Sequence, residues 1–126
     1  MPLVTITIRK PKTSAFKSAI LDAVHAALVK AGANPRDRFQ RVIELDADDF
    51  RYDPTFPDLP TPRSDDFVLV EIMLGVGRSV KMKRAIITDA LARLATSGFN
   101  AEHVMIVFQD VAWENWSPGG GRIPHA

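Results

Sequence analysis

The sequence predicts a two-layer α/β fold in which two tandem β-α-β units build a four-stranded mixed sheet carrying both helices on one face. Strand-like alternation followed by helical spacing of apolar residues occurs twice along the 126 residues. Shifting the chain against itself by 66 residues then aligns ten identical pairs between Pro2 and Asn34, among them Leu3/Leu69, Ile6/Ile72, Ala19/Ala85, Leu28/Leu94 and Gly32/Gly98. Average composition gives only about two or three such matches. The right-handed crossover of parallel β-α-β connections places the two helices on the same side.

The first strand spans Leu3 to Lys10, where β-branched residues alternate with smaller or polar ones. From Thr13 to Lys30, Phe16, Ile20, Ala23, Val24, Ala27 and Leu28 recur at helical spacing, with Gly32 as the stop signal. A second strand runs from Arg38 to Leu45, and a third from Phe67 to Leu74, where the unbroken Phe-Val-Leu-Val suggests burial on both faces. Ser79 to Thr96 repeats the helical pattern up to Gly98, and His103 to Gln109 forms the fourth strand. The repeat units are thus about 2–45 and 67–109 of one domain, 1–126, since the length leaves no room for a second core.

Two pieces lie outside the repeat. Residues 46–66 hold Pro54, Pro57, Pro60 and Pro62, which bars a central strand or regular helix there. A connection of that length in a small domain is expected to be functional or to pack as a lid. The C-terminal stretch, a short hairpin or tail, carries Trp113 and Trp116 ahead of Ser-Pro-Gly-Gly-Gly. Two indoles are expected to cover an apolar surface at a subunit interface or pocket. An open sheet also leaves one face bare, so self-association is expected.

Composition narrows the function. Sixteen basic and fifteen acidic residues leave a net charge of +1, no field to attract nucleic acid or an anionic membrane. The absence of cysteine excludes disulfides, thiolate metal sites and cysteine nucleophiles. His25, His103 and His125 show no metal-ligand spacing, so neither metal nor cofactor is expected. There is no membrane-length apolar run and no signal-like N-terminus, which points to a cytoplasmic protein.

Three places carry chemistry. If Met1 is removed, Pro2 presents a secondary amine at the start of a buried strand. An α-amino group titrates near 8, and an apolar setting lowers that further, which suits a general base at neutral pH; the alternative is an incidental proline. Gly75-Val76-Gly77-Arg78-Ser79 leads from the third strand into the second helix. There, backbone N–H groups and a guanidinium can converge on a carboxylate or phosphate, although the same residues also fit a plain turn capped by Ser79. Asp37, in the connection from Asn34 to Phe39, can orient a water or substrate hydroxyl or serve only as a turn former.

Together these features resemble the tautomerase superfamily, closest to its malonate semialdehyde decarboxylase-like branch. The resemblance spans nearly the whole chain. It is carried by Pro2-Leu3, Leu21-Asp22-Ala23, Arg36-Asp37-Arg38-Phe39-Gln40, Arg63-Ser64-Asp65-Asp66, His103-Val104-Met105-Ile106, Asn115-Trp116-Ser117 and Gly121-Arg122. By resemblance, Pro2 is the acid/base group, Asp37 orients a water or substrate, Arg78 binds a carboxylate, and Trp116 walls the pocket. Phe39 stands where the decarboxylases usually have tyrosine, and Val76 where they place the first of two closely spaced arginines; Arg122 or Arg38 can supply a charge from another direction. The implied function is keto–enol tautomerisation of a small 2-oxo acid by a homotrimer. Decarboxylation or hydration of a 3-oxo acid by a cationic Pro2 is the alternative. A non-catalytic binding protein results if Met1 is retained, because the Pro2 nitrogen is then an amide.

Overall fold

A computed structural model describes residues 2–124. Strands β1 (Leu3–Arg9), β2 (Phe39–Leu45), β3 (Val68–Gly75) and β4 (Val104–Val111) form one sheet, with helices α1 (Ser14–Lys30) and α2 (Val80–Thr96) following β1 and β3. The order across the sheet is β2-β1-β3-β4. Parallel pairs β1/β2 and β3/β4 flank an antiparallel centre in which Leu3 faces Met73 and Thr7 faces Leu69. This is the expected pair of β-α-β units. His125 and Met1 lie outside the described residues.

The duplication persists in individual bonds. Thr13 Oγ1 accepts from Phe16 N, and Ser79 Oγ from Met82 N, so each hydroxyl satisfies an orphan N–H of its helix's first turn. These caps stand just outside the helices, which therefore start one residue later than the sequence pattern suggests. At the other ends Gly32 (φ 112°) and Gly98 (φ 89°) take the left-handed conformation that side-chain-bearing residues avoid. Ala33 N then donates to Leu28 O and Phe99 N to Leu94 O, both at 3.0 Å.

The core lies between sheet and helices. Val4, Ile6 and Ile8 of β1 and Val68, Val70, Ile72 and Leu74 of β3 meet Ile20, Val24 and Leu28 of α1 and Ile86, Ala90 and Leu94 of α2. Each buried Val, Leu or Ile contributes about 1.5–3 kcal/mol by leaving water. The expectation that β3 is buried on both faces is corrected. Leu69 and Met73 are half-buried and Glu71 is exposed on the side away from the helices, because an uninterrupted apolar run does not reveal that one of its faces lacks a covering layer. On that open side, Arg41, Thr5, Glu71 and Val107 lie in one row, and Arg41 Nε donates to Thr5 Oγ1 at 2.8 Å. Ile43, Met105 and Val107 are exposed there.

Residues 46–66 pack at the end of the sheet where β1 finishes, roughly 20 Å of strand away from Pro2. Arg9 reaches from β1, donating from Nε to Phe50 O (3.0 Å), from Nη1 to Asp65 Oδ1 (2.7 Å) and stacking 4.2 Å from the Tyr52 ring centre. Tyr52 packs on Phe67 with ring centres 4.4 Å apart and donates its hydroxyl to Ser64 O. Burial pushes the Tyr52 phenol up, with the Arg9 guanidinium pulling the other way. His103 Nε2 meets Pro62 O at 2.8 Å. The insert thus closes the end opposite Pro2.

Candidate active site

Pro2 is buried just before β1, where the strand start brings it beside the end of β3 and the connection from α1. A cavity of about 330 Å³ opens there. Its floor is the core itself, Leu28, Leu74 and Ile86, and its sides are Ala31, Gly32 and Ala33 after α1 and Val76, Gly77, Arg78 and Met82 entering α2. Pro2 lines it at one side and Trp113 at another. A second cavity of about 190 Å³, lined by Pro2, Leu3, Phe39, Trp116, Ser117 and Pro118, meets the first at Pro2.

The strand ends produce this convergence. β1 and β3 are antiparallel, so the start of one adjoins the finish of the other. Gly77 takes φ 113°, a left-handed turn that lets the chain swing from β3 into α2. Arg78 follows, half-buried, its Nη1 donating to Gly75 O at 2.9 Å and its guanidinium carbon 5.5 Å from the Trp113 ring centre. Among the described residues no carboxylate lies within ion-pair distance of Arg78. A planar cation with most of its donors unspent, at the rim of a largely apolar cavity, is suited to a carboxylate.

The connection from Asn34 to Phe39 is tied to α1. Asn34 Oδ1 accepts from Arg36 N and Asn34 O from Asp37 N, both at 2.9 Å. His25 Nε2 meets Pro35 O at 3.0 Å, Gln40 Nε2 donates to Leu21 O at 2.8 Å, and Arg38 pairs with Asp22. These contacts fix where the loop delivers Asp37 and Phe39.

Of the residues singled out from the sequence, Pro2, Val76 and Arg78 share the larger cavity, and Pro2, Phe39 and Trp116 the smaller. Asp37 is half-buried and lines neither; Arg122 is exposed in the tail and also lines neither. Val76 is 40% exposed and Phe39 52%. Trp116 keeps its indole Nε1 buried without a hydrogen-bond partner. The sequence expects both Trp113 and Trp116 to cover an apolar surface and gives the pocket wall to Trp116; Trp113 walls the larger cavity with Arg78, and Trp116 the smaller. Ala33 and Met82, which also line the larger cavity, are not singled out by the sequence. The repeat held the signal for Ala33, because the aligned residue is the much larger Phe99.

A family profile described as a tautomerase enzyme matches residues 37–119. The chain is 26% identical over 124 residues to the probable tautomerase YusQ of Bacillus subtilis (strain 168), covering 97% of this chain and 96% of that protein. It is similar to the crystal structure of FG41 malonate semialdehyde decarboxylase inhibited by 3-bromopropiolate, with a TM-score of 0.87 and 29% identity over 96% of this chain and 92% of that one. A second malonate semialdehyde decarboxylase, described with decarboxylase and hydratase activities, also gives 0.87, at 25% identity over 96% of this chain and 93% of that one. A fused 4-OT symmetric trimer shares the fold at 0.75 and 24% identity, over 96% of this chain and 94% of that one.

Proposed function

The chain belongs to the tautomerase family, and from that premise we propose that it is a keto–enol tautomerase of small 2-oxo acids with Pro2, freed of Met1, as its acid/base. The observation that carries this reading is the shared cavity: Pro2 and Arg78 both line about 330 Å³ of mostly apolar space. Arg78 holds the substrate carboxylate by charge-assisted hydrogen bonds. The neutral Pro2 nitrogen takes the enol hydroxyl proton and returns it to the adjacent carbon as the carbonyl forms, so substrate and product are isomers and no other reactant is consumed. Apolar walls favour the neutral amine that this step needs. Phe39, Val76 and Trp116, which line the cavities with Pro2, serve as binding residues; Asp37, orienting the substrate or a water, and Arg122, as a further binding residue, complete the reading from outside both cavities of the single chain.

A second reading is favoured by the two decarboxylases of similar structure. A cationic Pro2 would then polarise the carbonyl of a 3-oxo acid for loss of carbon dioxide or addition of water. That chemistry calls for positive charge at carbonyl and carboxylate together, and the apolar Val76 contributes none. The assay that separates the readings runs phenylenolpyruvate ketonisation and malonate semialdehyde decarboxylation side by side on Met1-free protein. Ketonisation with weak or no decarboxylation is expected. Efficient decarboxylation with negligible ketonisation reverses the order.

The reading includes a homotrimer in which the open sheet face is covered by neighbouring subunits. Its apolar side chains (Leu3, Ile43, Leu69, Met105, Val107) support that, as does the trimeric state of the fused 4-OT of similar fold.

A further inference from the structure

We propose that Gly75 and Trp113 are positioning residues for Arg78, so that carboxylate recognition depends on a stack founded on a glycine. The proposal rests on the tautomerase reading of the same cavity and adds to it what orients the guanidinium. Gly75 is the last residue of β3, buried and paired with Val111 of β4. Val76 N continues that ladder to Val111 O at 2.9 Å, fixing where the chain sends Trp113 two residues later. A Cβ on residue 75 would stand 2.4 Å from Trp113 Cη2 and 2.6 Å from both Cζ2 and Cζ3. Real Cβ atoms do not approach so closely, and an indole is rigid, so the whole ring would have to move. The backbone of Gly75 lies outside the left-handed region; glycine is needed here for space.

The same two residues hold Arg78. Trp113 supplies a face 5.5 Å from the guanidinium carbon, and Gly75 supplies the carbonyl that accepts from Nη1 at 2.9 Å. A guanidinium is a planar fork of five donors, so one face contact and one anchored N–H leave it little freedom to turn. The remaining donors are then presented in a fixed direction, and binding costs less ordering of the side chain. Displacing the ring should free the guanidinium while leaving its charge in place.

The test measures kcat and KM for phenylenolpyruvate and its methyl ester in wild type, Gly75→Ala, Trp113→Ala, Trp113→Phe and Arg78→Ala, with melting curves as the folding control. Gly75→Ala and Trp113→Ala are expected to raise KM for the acid about tenfold more than KM for the ester, on the scale of a lost charge-assisted contact. Trp113→Phe should retain most of the acid preference, and adding Gly75→Ala to Arg78→Ala should cost nothing further. Equal losses on acid and ester, or additive losses in the double variant, would overturn the proposal by showing general packing damage. Should Gly75→Ala fail to fold, Trp113→Ala removes the platform without adding volume and is read by the same criteria. If wild type turns over neither enol, the tautomerase reading fails, and calorimetric titration with phenylpyruvate and its methyl ester decides the positioning claim. Acid binding weakened about tenfold in Gly75→Ala with ester binding unchanged supports it, and unchanged acid binding overturns it.

Discussion

The 66-residue repeat makes two ends of the sheet equivalent in backbone, yet one end is a cavity and the other is closed. At the open end Pro2, Ala33, Gly75, Arg78 and Met82 stand where the closed end has Val68, Phe99, Arg9, Lys12 and Phe16. The Phe16 and Phe99 rings lie 5.0 Å apart and seal the core. What remains there is a groove of about 310 Å³ walled by both rings, His103 and the insert residues Ser64 and Asp66. The open cavity reaches Leu28, Leu74 and Ile86, whereas the groove does not reach their counterparts Leu94, Ile8 and Ile20. The cations differ in the same sense. Lys12 is spent on Asp66 at 3.5 Å with only 11% of its side chain exposed, while Arg78 faces a cavity. One backbone thus yields an open cavity or a structural closure according to a few side chains at matched positions.

The sharpest way to break this contrast is to exchange the plug. Ala33→Phe should place a ring in the open end and lower ketonisation by about two orders of magnitude, through displacement of the substrate from Pro2, with helical circular dichroism retained. The reciprocal Phe99→Ala should leave activity unchanged and cost about 2 kcal/mol in urea unfolding, below the 3–5 kcal/mol of a fully buried ring because Phe99 is half-buried. Activity surviving Ala33→Phe would show that the cavity is not where substrate sits.

A smaller effect is expected where the insert closes the far end. Arg9→Ala removes two hydrogen bonds and the stack on Tyr52; the cost should be about 1–3 kcal/mol, with ketonisation unchanged. A loss of activity equal to that of the open-end variants would mean that the two ends are coupled. The smallest effect concerns pH. Asp53 accepts from the N–H groups of Thr55 and Phe56 at 2.9 and 2.7 Å, which holds its carboxyl below the ordinary value of 3.8. A folded pKa below the unfolded one gives stability that is present above the unfolded value and lost as pH falls through the folded one. Asp53→Asn should therefore flatten the acid limb of melting temperature against pH and leave neutral-pH activity alone. An unchanged acid limb would remove Asp53 from the account.

The fold is legible because it rests on periodicity and duplication, which the sequence displays directly, down to the cap Ser79; the pattern runs Thr13 into its helix, where it stands as the cap. Within one chain the two-faced burial expected of β3 is not found, for a reason the pattern does not contain: Leu69 and Met73 look like core residues whether their cover comes from the same chain or not. The markers Arg63-Ser64-Asp65-Asp66, in the insert, and Asp22, Arg38 and Gln40, in α1 and at the start of β2, show no packing duty in the sequence pattern. The structure gives them such duties. Arg63 lies over Phe67 at 5.3 Å, Asp65 and Asp66 pair with Arg9 and Lys12, and Arg38 bridges Asp22 and Gln40. Residue chemistry singles out Pro2 and Arg78, which line one cavity, whereas the sequence treats Trp113 and Trp116 alike, since only the tertiary approach to Gly75 shows which of the two lies beside Arg78.

The most direct measurement of the central claim is the ketonisation rate of Pro2→Ala against wild type, both verified by intact mass to lack Met1. A primary amine on a mobile alanine is differently basic and less well placed than the ring nitrogen. The expected loss is about two orders of magnitude or more, the range of a positioned acid/base, with the melting temperature little changed. Undiminished ketonisation by Pro2→Ala, or full activity in protein that keeps Met1, would contradict the assignment of Pro2 as the group that moves the proton.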